Sequence, residues 1–168
     1  MSYQDYLNEN NPRIRMEVRH FGVITAELFP AVAPKTVANF LHLVEEGFYN
    51  GLTFHRIIPS FMIQGGDPLG NGTGGSPLKI VGEFKSNGID NPLKHERGVL
   101  SMARSQDKNS ASSQFFIMHE DAPHLDGAYA AFGAVLEGMD VIDRIAAVKT
   151  DWTDRPIEAV IIEKMERL

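Results

Sequence analysis

Two helical patterns lie far apart in this chain, with most of its short strand-like runs between them. That order constrains the fold more than any other feature. Residues 13–19 alternate strictly between polar and apolar, residues 23–28 alternate again, and His20-Phe21-Gly22 stands between them. Period-two alternation on both sides of a glycine predicts a β-hairpin of half-buried strands. Pro30 stops the second strand. Pro34 then opens a segment in which Val37, Phe40, Leu41 and Val44 recur at i, i+3, i+4 and i+7, with Gly47 beyond it. This predicts one amphipathic helix with a glycine at its end. Four short apolar runs follow, at 53–58, 61–64, 99–103 and 114–118, separated by Gly-, Asn- and Ser-rich connections. A strand at 129–136, a short helix marked by Met139, Ile142, Ile145 and Ala146, and a last strand at 157–165 complete the count. Because the helices do not alternate with the strands, a parallel βαβ sheet is disfavoured. About eight short strands with glycine-rich corners predict a mainly β protein. The expected form is a closed eight-stranded antiparallel barrel, which removes exposed edges, capped by two helices.

The chain has 168 residues, one domain's worth, and is expected to divide into a flexible arm at 1–12 and a folded domain at 13–168. It contains no cysteine, which removes thiolate chemistry and disulfides. Sixteen Lys and Arg against 22 Asp and Glu give a formal charge of −6. Nucleic acid and anionic membranes are poor partners for such a balance, since phosphate contacts need clustered cations. The polar start MSYQDYLNENNPR has no basic-then-apolar leader pattern, and no apolar run approaches a membrane span, so a cytoplasmic location is expected.

Two motifs invite chemistry and then fail on context. Gly70-Asn71-Gly72-Thr73-Gly74-Gly75 satisfies G-x-G-x-x-G, but Pro68 precedes it and Ser76-Pro77 follows, so no helix opens to receive a phosphate. The better reading is a multi-turn loop built from residues that tolerate positive φ. The six histidines show no ligand spacing, and neither a metal nor a cofactor is expected. A Ser-His-Asp triad stays open, because triads are assembled in space; no G-x-S-x-G surrounds any serine. The segment 54–67 differs. Arg56 sits in a predicted strand among apolar residues, where a buried guanidinium would need acceptors, and Gln64, eight residues on, could orient it. Phe61 and Met62 could line an apolar patch beside it. A purely structural, salt-bridged Arg56 is the competing reading.

The run FHRIIPSFMIQGGDPLGNGTGG resembles the signature of the cyclophilin family of peptidyl-prolyl cis/trans isomerases. The resemblance extends through 99–103, 112–117, 124–127 and 132–133, takes in 27–30 and 34–40, and spans roughly 13–165. It implies an eight-stranded barrel with two helices, in agreement with the element count. It also implies a cofactor-free isomerase acting on X-Pro bonds in proline-containing peptides and in unfolded or flexible protein segments, working as a monomer. Arg56 matches the family's catalytic arginine and Gln64 the glutamine beside it. Phe61, Met62, Phe116 and Leu125 match the pocket for the proline ring. Ala103 and Arg104 match the stretch whose main chain pairs with the peptide. Gln114 matches a polar wall residue, and Gly72 lies in the loop of a flanking pocket.

Four positions depart from the best-known eukaryotic pattern. His124 stands for a tryptophan, Tyr129 for a histidine, Arg104 for an asparagine and Ser105 for an alanine. Tyr129 keeps an aromatic wall, and the Arg104 change is expected to matter little if only its main chain binds. His124 is expected to weaken binding of the drug cyclosporin while sparing isomerisation. The rivals to an isomerase are a proline-peptide binding module on the same barrel and a small-ligand barrel. The presence of Arg56 weighs against the first. The polar run 101–114 weighs against the second.

Overall fold

The computed structural model describes residues 2–168; the expectation for the arm at Met1 lies outside the described residues. Eight strands form one sheet in the order β3-β4-β6-β5-β7-β2-β1-β8, with every paired neighbour antiparallel. They are β1 (Arg13–Val18), β2 (Gly22–Leu28), β3 (Arg56–Ile58), β4 (Met62–Gly65), β5 (Val99–Met102), β6 (Phe115–Met118), β7 (Ala131–Glu137) and β8 (Ile162–Arg167). The first hairpin forms as the alternation predicts. Met16 faces Ile24, and Ile14, Met16 and Val18 turn inward with Ile24, Ala26 and Leu28.

The sheet curls into a barrel, but full closure is an overstatement. β3 and β8, the two ends of the order, share no ladder. The seam is closed just before β3: Gly51 N–H donates to Ile162 O at 2.7 Å, Ile162 N–H to Leu52 O at 2.7 Å, and Phe54 N–H to Val160 O at 3.0 Å. The last strand accordingly begins later than its apolar pattern suggests. Residue 157 is an exposed isoleucine whose N–H donates to Lys149 O at 3.0 Å, outside the sheet. Tyr129 likewise precedes β7 instead of opening it.

Helix α1 (Pro34–Glu45) lays Val37, Phe40, Leu43 and Val44 against the barrel, and Leu41, expected on that face, sits at its edge. Phe40 anchors an aromatic cluster, with ring centroids 5.1 Å from Tyr49, 5.4 Å from Phe115 and 5.0 Å from Phe132. Helix α2 (Met139–Ala146) buries Val141, Ile142, Ile145 and Ala146. Residues 2–12 lie on the body: Asn8 N–H and Asn11 Nδ2 donate to the buried Glu27 carboxylate at 2.9 and 3.2 Å, and Tyr6 meets the Phe29 ring at 6.0 Å.

The N-terminus of α1 lacks a local cap, since Ala33 occupies that position. The cap arrives from 47 residues away. The buried Glu83 carboxylate accepts from Thr36 N–H at 2.6 Å and from Thr36 Oγ1 at 2.7 Å. A carboxylate there satisfies an orphan helix donor and meets the positive end of the helix dipole. Glu83→Ala strands those buried donors and is expected to lower unfolding free energy by about 1–3 kcal/mol, as measured by urea denaturation.

Candidate active site

Strand register puts the key side chains in one row. Arg56 of β3 faces Gln64 of β4, Gln64 faces Phe116 of β6, and Phe116 faces Ser101 of β5. Because side chains alternate along a strand, the row lies on the outer face, while Ile57, Ile63 and Ile117 beside it are fully buried. Arg56 is therefore exposed. The expectation of a buried arginine among apolar residues fails for this reason: its apolar neighbours point to the opposite face.

A hydrogen-bond relay fixes the guanidinium. Gln114 Nε2 donates to Gly72 O at 3.0 Å and to Gly74 O at 2.8 Å. Its Oε1 is thereby left to accept from Gln64 Nε2, at 3.0 Å. Gln64 must then present Oε1 to Arg56, whose Nη1 donates to it at 3.3 Å. Both amide orientations follow from the carbonyls at the far end, because an amide nitrogen only donates and its oxygen only accepts.

The far end is held by Asp67, which the sequence reading did not single out. Its buried carboxylate accepts from the N–H groups of Leu69, Asn71 and Gly72 at 2.8, 3.1 and 2.6 Å. Burial works against the charged form, yet the main-chain donors prevail and hold the carboxyl below its ordinary range. Of the glycines in the 70–75 run, Gly70 and Gly72 have the expected positive φ, 68° and 92°, whereas Gly74 and Gly75 do not and instead allow close approach of Asp67 and Ser112; Gly66, ahead of the run, has φ of 87°. A Cβ on Gly66 would also meet Ser113 O at 2.7 Å. An aspartate opening a run of positive-φ glycines was the available signal.

Nine of the expected residues line one cavity of about 140 Å³: Arg56, Phe61, Met62, Gln64, Ala103, Arg104, Phe116, Leu125 and Tyr129. Gly72 and Gln114 belong to an adjoining cavity of about 310 Å³, which shares Gln64, Ala103 and Arg104 with the first. His124 lines neither. It stands exposed at the rim, its ring centroid 5.8 Å from that of Phe61. Ala103 N–H is already bonded to Gln114 O at 3.0 Å, while the main chain of Arg104 makes no hydrogen bond among the described residues. Arg104, whose substitution is expected to matter little if only its main chain binds, lines both cavities.

A Ser-His-Asp chain does exist. His95 Nε2 lies 2.8 Å from Ser101 Oγ, and its Nδ1 lies 3.0 Å from Asp126 Oδ1. Ser101 is fully buried, so no carbonyl can reach its hydroxyl. The imidazole instead stacks behind Phe116, 6.1 Å between centroids, and backs the cavity floor. Among the described residues no group of three or more metal-ligating side chains comes together. Among the same described residues no helix is long and apolar enough to cross a membrane.

Burial lowers the pKa of both His95 and His55. Asp126 opposes the shift at His95; Asp67 opposes it at His55, where Arg155 and Arg56 reinforce it. Neither His55 nitrogen has a hydrogen-bond partner among the described residues, so its charged form would lack an acceptor there. A histidine with a depressed folded pKa takes up its proton first in the unfolded chain. The stability it supports is complete above the unfolded value of 6.5 and is lost as pH falls from there towards the folded value. Tm should therefore drop between pH 7.5 and 5.5, with both imidazoles titrating below 6.5 by NMR. An unchanged Tm would contradict this assignment.

Comparison with known proteins agrees with this geometry. Residues 13–167 match the family described as "Cyclophilin type peptidyl-prolyl cis-trans isomerase/CLD". A peptidyl-prolyl cis-trans isomerase-like 1 of Aspergillus niger is 50% identical over 142 residues, covering 84% of this chain and 86% of that protein. A peptidyl-prolyl cis-trans isomerase-like 2 of Gibberella zeae is 45% identical over 150 residues, which is 89% of this chain but only 25% of that longer protein. The crystal structure of a Cryptosporidium parvum cyclophilin type peptidyl-prolyl cis-trans isomerase superposes with a TM-score of 0.86 at 33% identity, covering 94% of this chain and 98% of that one. The same protein crystallised in the presence of the dipeptide Ala-Pro gives 0.84 at 34% identity, covering 92% of this chain and 97% of that one. With the fold, the ordered Arg56–Gln64–Gln114 relay and these matches in agreement, the chain belongs to the cyclophilin-type peptidyl-prolyl cis-trans isomerase family.

Proposed function

We propose that the chain is a peptidyl-prolyl cis-trans isomerase that turns over X-Pro bonds in exposed, flexible segments. In this reading it works without a cofactor, as a monomer in the cytoplasm, with residues 13–168 as the isomerase unit and 1–12 an appended arm. The observation that carries it is an exposed guanidinium, tethered through Gln64, at the edge of a cavity of about 140 Å³ that Phe61, Met62, Phe116 and Leu125 also line.

Amide rotation has a barrier of about 18–20 kcal/mol, and X-Pro bonds relax in tens to hundreds of seconds. No bond is made or broken. As the amide twists, resonance is lost and the prolyl nitrogen gains a lone pair. A donor aimed there bonds to an acceptor that exists only in the transition state, which is the condition for catalysis. Arginine suits this role because it stays charged at any working pH. A rate increase of about 10⁴-fold requires about 5.5 kcal/mol. One charge-assisted hydrogen bond supplies about 1.5–3 kcal/mol of that. Holding the proline ring still against Phe61, Met62, Phe116 and Leu125 while the other side rotates supplies the rest, aided by a drier site.

The test is NMR exchange on an X-Pro peptide with a small fraction of protein. Accelerated cis–trans exchange that is nearly flat between about pH 6 and 8 is expected, since no group must gain or lose a proton in the step. Peptide shifts without accelerated exchange would leave a binding module.

A further inference from the structure

Arg104 carries far more contacts than a residue that binds through its main chain requires. Its guanidinium carbon lies 4.9 Å from the centre of the Phe84 ring and 4.7 Å from that of Tyr129, so the cation sits against both rings. Nε and Nη2 both donate to Ala128 O, at 3.3 and 2.8 Å. Nη1 donates to Ser105 O at 3.0 Å and to Gln106 O at 3.4 Å. The side chain thus joins the loop after β5 to the loop before β7, gripping both the ring of Tyr129 and the carbonyl next to it. Tyr129 in turn stands edge-on to Phe116, with centroids 5.9 Å apart and planes at 82°. Phe116 lines the cavity, and among the described residues no other ring or cation stands against the Tyr129 ring.

We propose that Arg104 is a positioning residue, whose guanidinium locks the Tyr129 wall against Phe116 and thereby sets how tightly the site holds a proline ring. The inference rests on the isomerase reading for its role in turnover, but not for its role in binding. A wall that grips the ring equally in the ground and transition states changes KM and leaves kcat nearly alone. Lysine cannot replace arginine here. A guanidinium is planar, lies flat on rings and donates in several fixed directions, whereas an ammonium is a compact point charge.

Arg104→Ala and Arg104→Lys would each be compared with wild type for kcat and KM on an X-Pro peptide, and for the Kd of an Xaa-Pro dipeptide by chemical-shift titration. KM and Kd are expected to rise together about tenfold in both variants, with kcat within about threefold of wild type. The Tyr129 ring resonances should shift and broaden as the wall loosens, while Tm shows each variant folded at the assay temperature. A double variant with Tyr129→Leu should bind no worse than Tyr129→Leu alone, since the cation then has no wall to hold. Unchanged Kd in Arg104→Ala would overturn the proposal, as would full recovery in Arg104→Lys, which would reduce the contact to charge alone. Because the dipeptide titration reads binding without turnover, an inactive wild type would sink the isomerase reading and leave this test intact.

Discussion

Replacing Arg56 with alanine is expected to cut kcat/KM for an X-Pro peptide by about 10–100-fold or more while peptide affinity falls much less. The asymmetry follows from where the guanidinium bonds. Its proposed partner, the prolyl nitrogen lone pair, is absent from the planar ground state and appears only on twisting. The loss of one charge-assisted bond of about 1.5–3 kcal/mol corresponds to this range at about 1.4 kcal/mol per decade. The cavity that holds the ring is otherwise left in place, because Arg56 stands at its exposed edge and contributes nothing to the core. Gln64→Ala should cost less. It removes the 3.3 Å tether and leaves the cation present but poorly aimed. Line-shape or exchange NMR gives turnover, and titration gives affinity on the same sample. Weaker binding with unchanged turnover in Arg56→Ala would assign the guanidinium to uniform substrate binding and remove it from the mechanism.

Cyclosporin should inhibit this protein roughly 5–150-fold more weakly than a relative carrying tryptophan at the position of His124. Tryptophan offers a larger apolar face and an indole N–H, and it is a frequent binding anchor. An imidazole keeps a ring-nitrogen donor but less area, a difference worth about 1–3 kcal/mol. The position of His124 makes the effect selective. Its ring stands 5.8 Å from that of Phe61 at the rim and does not line the cavity of about 140 Å³. A large ligand that spreads over the rim loses the contact, whereas a short X-Pro peptide seated in the cavity keeps all of its own. The measurement is a side-by-side inhibition titration of this protein, its His124→Trp variant and a tryptophan-bearing relative. If His124→Trp gains no sensitivity, the determinant lies elsewhere; if the unmodified protein already matches the relative, the expectation is wrong from the start.

What the sequence determined by itself was whatever depends on neighbours along the chain. Alternation in 13–28 specified the β1–β2 hairpin and which side chains it buries, because a strand's period of two assigns faces without knowledge of its partner. Proline at 34 and the spacing of Val37, Phe40 and Val44 specified α1, and the separation of the two helices specified an antiparallel β protein. The ordered blocks around Arg56 and Gln64 brought the family into view, and with it most of the cavity lining. What tertiary structure decided was every feature whose partners lie far apart in sequence. Local pattern could not reveal that Arg56 faces solvent; the register β3-β4-β6 did that, by setting the outward row. The cap of α1 comes from Glu83, 47 residues from Thr36, and the barrel seam is made by 51–54 with 160–162, ahead of β3. Arg104 is the sharpest case. The family resemblance implies a main-chain role for it, and only the approach of Phe84 and Tyr129, from 20 residues before and 25 after, gives its side chain two rings to lie against. Periodicity records which face of an element is apolar. A hydrogen bond or a stacked cation needs two groups within a few ångströms, and that distance is fixed by how the loops close over the sheet.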